Sequence, residues 1–132
     1  MDRYASMYSD VYSVFSSPAW VTAGVKTVPE NYTASGIGNE YIRVSVLFGG
    51  GYGYVNLPSS QSGQLIIDIF VPAGEGMKKL STIADKLNSF LERKTVGYTQ
   101  FSTSSFSPLG LDAANASLYR GKYSISFNYF RN

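Results

Sequence analysis

Three stretches of this chain alternate apolar and polar residues with a period of two. That pattern restricts the fold more than any other feature. In "EYIRVSVLF" (40–48), Ile42, Val44, Val46 and Phe48 fall on one side, with Tyr41, Arg43, Ser45 and Leu47 on the other. In "QLIIDIFV" (64–71), Leu65, Ile67, Ile69 and Val71 alternate with Gln64, Ile66, Asp68 and Phe70. In "KYSISFNYF" (122–130), Tyr123, Ile125, Phe127 and Tyr129 alternate with Lys122, Ser124, Ser126 and Asn128. Successive side chains of a strand point to opposite faces, so each stretch predicts a strand with one apolar face. Together they predict an antiparallel sheet covered on one side. A weaker fourth strand is expected within "GYTQFSTSSF" (97–106), where Ser and Thr dilute the pattern.

The cover comes from segments with the helical period. "PAGEGMKKLSTIADKLNSFLERKTVG" (72–97) carries Met77, Leu80, Ala84, Leu87 and Leu91 along one stripe, widened by Ile83 and Phe90. Pro72 and Gly74 precede it, Glu75 suits the positive end of the dipole, and Arg93 and Lys94 suit the negative end. Gly97 is the expected stop. Residues 1–16 predict a second amphipathic helix, with Tyr4, Met7, Tyr8, Val11, Tyr12 and Phe15 on one face, ended by Ser16, Ser17 and Pro18. "AWVTAGVKTVPENYTASGIGN" (19–39) reads as mostly irregular, with a short strand near Val25–Val28. The expected architecture is α+β: a mostly antiparallel sheet of four to five strands, one long helix packed on its apolar face, and an N-terminal helix. No linker divides the chain, so one domain over 1–132 is expected, with the sheet and helix core at 25–130.

The chemistry is restricted by what is missing. There is no Cys and no His, which removes disulfides, thiolate nucleophiles, thiolate or imidazole metal sites and imidazole general bases. The carboxylates Glu30, Glu40, Asp68, Asp85, Glu92 and Asp112 share no spacing that would bring two of them to one cleft. No cofactor, no metal and no enzymatic activity are expected. The net charge of +2 comes from scattered basic residues, which argues against sequence-specific nucleic-acid binding. The N-terminus lacks a basic region followed by an apolar core, and no run approaches 18 apolar residues, so neither a secretory signal nor a membrane span is expected.

One stretch stands apart. "VLFGGGYGYVNL" (46–57) holds Gly49, Gly50, Gly51, Tyr52, Gly53 and Tyr54. A P-loop requires Lys and Ser or Thr after its last glycine, but Tyr54, Val55 and Asn56 follow Gly53. The dinucleotide fingerprint requires a third glycine where Tyr54 stands, and a helix afterwards. Neither phosphate motif is met. Glycines permit a sharp turn, so the run reads as a loop between two strands. It is either a plain connection or a partner contact, with Tyr52 and Tyr54 offering large area and few torsions to freeze. Composition leaves the same two readings open. Only 15% of residues are charged, against about 25% in typical domains, and 11 Tyr and 8 Phe suit either an assembling surface or a β-rich monomer.

Two longer stretches, "VPENYTASGIGNEYIRVSVLFGG" (28–50) and "SGQLIIDIFVPAGEGMKKLSTIADKLNSFLERK" (62–94), give a turn, a strand, a second strand, a proline–glycine corner and a helix with "ADKLNSFL". This order resembles the tail terminator-like proteins of long-tailed bacteriophages, from about Trp20 to Lys94. The resemblance implies an α+β virion protein that forms a homo-hexameric ring on the head-proximal end of the tail. Such rings end polymerisation of the tail tube protein and present a surface to a head-completion or neck protein. The subunits assemble in the host cytoplasm, and some stay monomeric until they reach the tube. On that resemblance, Gly49 to Tyr54 are the expected contact residues. A head-tail connector is the neighbouring alternative. A small sugar-binding module using exposed tyrosines, with "SSQSG" and "NYTASG" as polar loops, is the alternative of another class.

Overall fold

The computed structural model describes residues 3–29, 40–52, 60–74, 77–111 and 118–130. In chain order these form α1 (Arg3–Phe15), α2 (Pro18–Ala23), β1 (Thr27–Pro29), β2 (Tyr41–Tyr52), β3 (Ser60–Pro72), α3 (Met77–Leu91), β4 (Thr95–Val96), β5 (Thr99–Leu111) and β6 (Leu118–Phe130). The fold is α+β. Its sheet has the order β1-β2-β3-β6-β5-β4. β1 runs parallel to β2, and every other neighbouring pair is antiparallel.

The sheet therefore has six strands and is mixed, and three helices accompany it, where the sequence predicted four to five strands and two helices. The additions are short elements. β4 has two residues and β1 three, too few for an alternation to register. α2 has six residues and is defined by its punctuation. Ser17 caps it by accepting from the Trp20 N–H, Pro18 opens it, and Gly24 closes it with φ 78°. Pro18 thus stops α1 and starts α2. Gly97 is not the stop of α3, which ends at Leu91, with Arg93 taking the left-handed φ of 57°. Gly97 instead begins the two-residue turn that pairs Val96 with Thr99, a position where φ +59° fits a tight hairpin.

The three alternating stretches bury the predicted side chains. Ile42, Val44, Val46, Leu65, Ile67, Ile69, Val71, Tyr123, Ile125, Phe127 and Tyr129 form the sheet side of the core. From α3 come Leu80, Ile83, Ala84, Leu87 and Leu91. Each large side chain buried there contributes about 1.5–3 kcal/mol. Met77, at the first position of α3, is exposed. In α1 the buried stripe is Met7, Val11, Val14 and Phe15, while Tyr4 and Tyr8 lie exposed on its flank. The phenol ring tolerates that boundary, since one edge packs and the hydroxyl stays wet. Phe48 is also exposed, with its ring against Tyr4 in the first turn of α1. The opposite sheet face has its own small cluster of Val28, Tyr41, Phe70 and Leu118.

β5 is longer than predicted, continuing through Pro108 to Leu111, and it is irregular. Its register with β6 shifts between Phe101 and Ser104 and again between Pro108 and Gly110, each time with one extra residue on β5. Among the described residues, no strand flanks β5 beyond Gln100 on its outer side.

Candidate contact surface

The glycine run lies mostly inside a strand. Gly49, Gly50, Gly51 and Tyr52 belong to β2, whereas Gly53 and Tyr54 fall outside the described residues. β2 and β3 are consecutive and antiparallel, so they make a hairpin whose connection spans 53–59. The register passes from Phe48 opposite Gly63 to Gly51 opposite Gln61, three steps on β2 against two on β3. The extra residue is a β-bulge, a place where glycine recurs in strands. A side chain at Gly49 would sit 2.7 Å from Ser62 Oγ. The freed Gly49 carbonyl accepts a hydrogen bond from Gln61 Nε2. Gln61 is 2% exposed and shares the covered face with Gly63 and Leu65. The sequence reading passed over it. The period-two pattern extended backwards from Leu65 would have flagged a polar residue on the apolar face.

Beside the bulge the surface is apolar. Leu47 is 51% exposed and Phe48 44%. The Phe48 ring meets Tyr4 edge to face, with centroids 5.0 Å apart. Tyr4 is itself 54% exposed. Further along α1, Tyr8 stacks on Tyr12 at 4.3 Å. Tyr12 donates its hydroxyl to the Val44 carbonyl at 3.0 Å, which ties the helix to β2. Edge-to-face contacts then lead inward from Phe15 to Trp20 and on to Phe90. A shallow apolar hollow of about 600 Å³ opens against Tyr8, Tyr12, Phe15, Thr27 and Pro29. Three of its hydroxyls are engaged within the chain: Ser13 donates to Asp10 O, Ser16 to Tyr12 O, and Thr27 to Val25 O while accepting from Trp20 Nε1.

The described carboxylates are spread through the fold. Glu40 pairs with Lys79 at 3.3 Å and Asp68 with Arg120 at 2.8 Å. Asp10 accepts from the Tyr98 N–H and the Thr99 hydroxyl. Glu92 accepts from the Ser104 N–H at 3.1 Å and from Asn88 Nδ2 at 2.7 Å. The Ser104 N–H, then Asn88, hold the Glu92 carboxyl below the usual glutamate range. Asn88 Oδ1 accepts from both Ser104 Oγ and Tyr123 OH. Burial pushes the Tyr123 phenol up to about 12. This network fastens α3 to the first bulge of β5. Asp85 is exposed on α3, and Glu30 and Asp112 lie outside the described residues. Among the described residues, no group of three His, Cys, Asp or Glu side chains is placed to hold a metal ion. No helix there is long and apolar enough to cross a membrane.

No family model matches this sequence, and no curated protein does. Eleven solved chains match in structure. One of them aligns with a TM-score of 0.68 at 12% identity, covering 93% of this chain and 92% of that chain, and its designation states no function. At that identity the likeness shows the fold alone.

Proposed function

We propose that this chain is a phage tail terminator that works by contact and not by catalysis. In this reading it caps the head-proximal end of the tail tube as a ring of its own copies, most simply a hexamer. It ends tube polymerisation and offers the neck or head-completion protein a surface. The observation that carries the reading is the apolar end of the β2–β3 hairpin. There Phe48 of β2 and Tyr4 of α1 stand exposed against each other on one side of the strand, and Leu47 is exposed on the other, beside the Gly49–Gly51 bulge. Exposed apolar patches of this kind are a common mark of protein contact surfaces. The sequence resemblance over Trp20–Lys94 supplies the identity of the assembly, and the α+β fold is compatible with it. Gly49, Gly50, Gly51 and Tyr52, with Gly53 and Tyr54 beyond them, are the proposed contact segment.

Deleting the gene tests the reading. Tails of irregular length that fail to join heads support it. Tails of normal length on complete virions count against it, and protein found only on heads favours the connector alternative. The sugar-module alternative has the stacked Tyr8–Tyr12 pair in its favour. It is weakened by the Ser13, Ser16 and Thr27 hydroxyls of that hollow, which already hydrogen-bond within the chain.

A further inference from the structure

Two different forces hold the register of β2 against β3. Up to Phe48 it is side-chain packing. Ile42, Val44 and Val46 are buried opposite the equally buried Ile69, Ile67 and Leu65, and a slip of one residue would turn them outward. Past Phe48 come Gly49, Gly50 and Gly51, which have no side-chain pattern for a register to obey. Glycine-rich strands are the ones prone to slip. A regular ladder would set Gly50 against Gln61. The hairpin instead sets Gly51 against Gln61 and Tyr52 against Ser60, one residue out of step.

Gln61 supplies what the glycines lack. On the covered face of β3 the series Val71, Ile69, Ile67, Leu65 and Gly63 ends in Gln61, its first polar side chain. It is buried, between Gly51 on β2 and the buried Tyr129 on β6. An amide in such a place is costly unless its hydrogen bonds are made. The bulge provides the acceptor. Gln61 Nε2 donates to the Gly49 carbonyl, and the Ser62 carbonyl lies 3.4 Å from the same nitrogen. Without that donor the alternative is the regular register, with the extra residue passed into the 53–59 connection. Lengthening a loop by one residue adds little closure entropy.

We infer that Gln61 is a positioning residue. Through the Gly49 carbonyl it holds the bulge, and so fixes the register in which the contact segment leaves the sheet. Being buried, it acts without touching a partner itself. Its role in capping rests on the contact-surface reading; its hold on the register does not.

The chain has no cysteine, so introduced pairs report the register without interference. Tyr52→Cys with Ser60→Cys joins partners of the bulged register, and Tyr52→Cys with Ser59→Cys joins partners of the regular one. Both pairs are oxidised in the full chain, with Gln61 and with Gln61→Met, and the disulfide yields are compared. Gln61→Met should shift the ratio of the two yields about tenfold towards the second pair. Deleting Gly50 removes the extra residue and leaves Tyr52 opposite Ser60, so Gln61→Met should not move the ratio in that background. In a complementation assay Gln61→Met should lose tail capping, and the Gly50 deletion should restore it. Melting curves establish that each variant folds, and Gln61→Asn, whose amide is shorter, replaces Gln61→Met if it does not. A ratio unmoved by Gln61→Met overturns the inference. So does capping retained by a chain whose register has moved. If Leu47→Ser with Phe48→Ser loses capping in that case, the positioning role alone falls; if it too retains capping, the contact-surface reading falls as well.

Discussion

The Asp10 carboxylate occupies the space that a side chain at Gly97 would need. A Cβ built there would lie 2.5 Å from Asp10 Oδ1. The same carboxylate accepts the Tyr98 N–H at 3.1 Å and the Thr99 hydroxyl at 2.9 Å, so α1 is fastened to the β4–β5 turn. Gly97→Ala meets both this contact and the positive φ, and should lower stability by about 1–3 kcal/mol. Asp10→Ala should cost about 1–3 kcal/mol through the Thr99 and Tyr98 donors it leaves behind. Urea unfolding reads both, and an unchanged midpoint for Gly97→Ala would refute the contact.

The core between α3 and the sheet yields a larger effect. Leu87 is fully buried there. Leu87→Ala should cost about 2–5 kcal/mol, and Leu87→Asp should prevent folding, as read by circular dichroism.

Alkaline pH should act through Tyr123. Its folded value, near 12, lies above the ordinary 10, so the folded state holds the proton more tightly than the unfolded one. The contribution is complete below pH 10 and fades as pH rises from 10 towards 12. It amounts to about 2–3 kcal/mol for a shift of this size. Tyr123→Phe should flatten that part of the stability–pH curve, measured by urea midpoints across pH 8–11.

Acid should act through Glu92 with the opposite sign. Its carboxyl titrates below the usual value, so its contribution is present above that value and is lost as pH falls through the depressed one. Glu92→Gln should flatten the acid limb of the same curve. An acid limb identical to the parent's would show that the Ser104 N–H gains nothing from the charge.

The exposed hairpin surface separates folding from assembly. Leu47→Ser with Phe48→Ser should lower the melting temperature only modestly, because both residues are about half exposed and neither belongs to the buried core. Tail capping in a complementation assay should fail. Shortening Gly49–Tyr54 to a two-residue turn is the harsher test. It removes the bulge together with the contact segment, so its melting temperature must be read beside its capping activity.

The strand faces were legible because a period of two states which side chains share a side, and burial followed that pattern except at Phe48, which is exposed, and at Tyr41 and Phe70, which are buried on the opposite face. The long helix was legible for the same kind of reason. β1, β4 and α2 were not, since two to six residues carry too few repeats for any period. The bulge at Gly49–Gly51 was misread as a loop because glycine signals freedom of φ without stating whether a ladder continues past it. Polar ties such as Asp10 to Thr99, 89 residues apart, leave no local trace at either end. Gly53 and Tyr54, part of the expected contact segment, lie outside the described residues.

The two kinks and Pro108 along β5, with Glu92 taking up the Ser104 amide, make that flank of the sheet a poor template for another chain. Neighbours are turned away from stacking there rung upon rung into a fibre. Copies that approach along β5 have to meet it through side chains, where geometry can close a finite object.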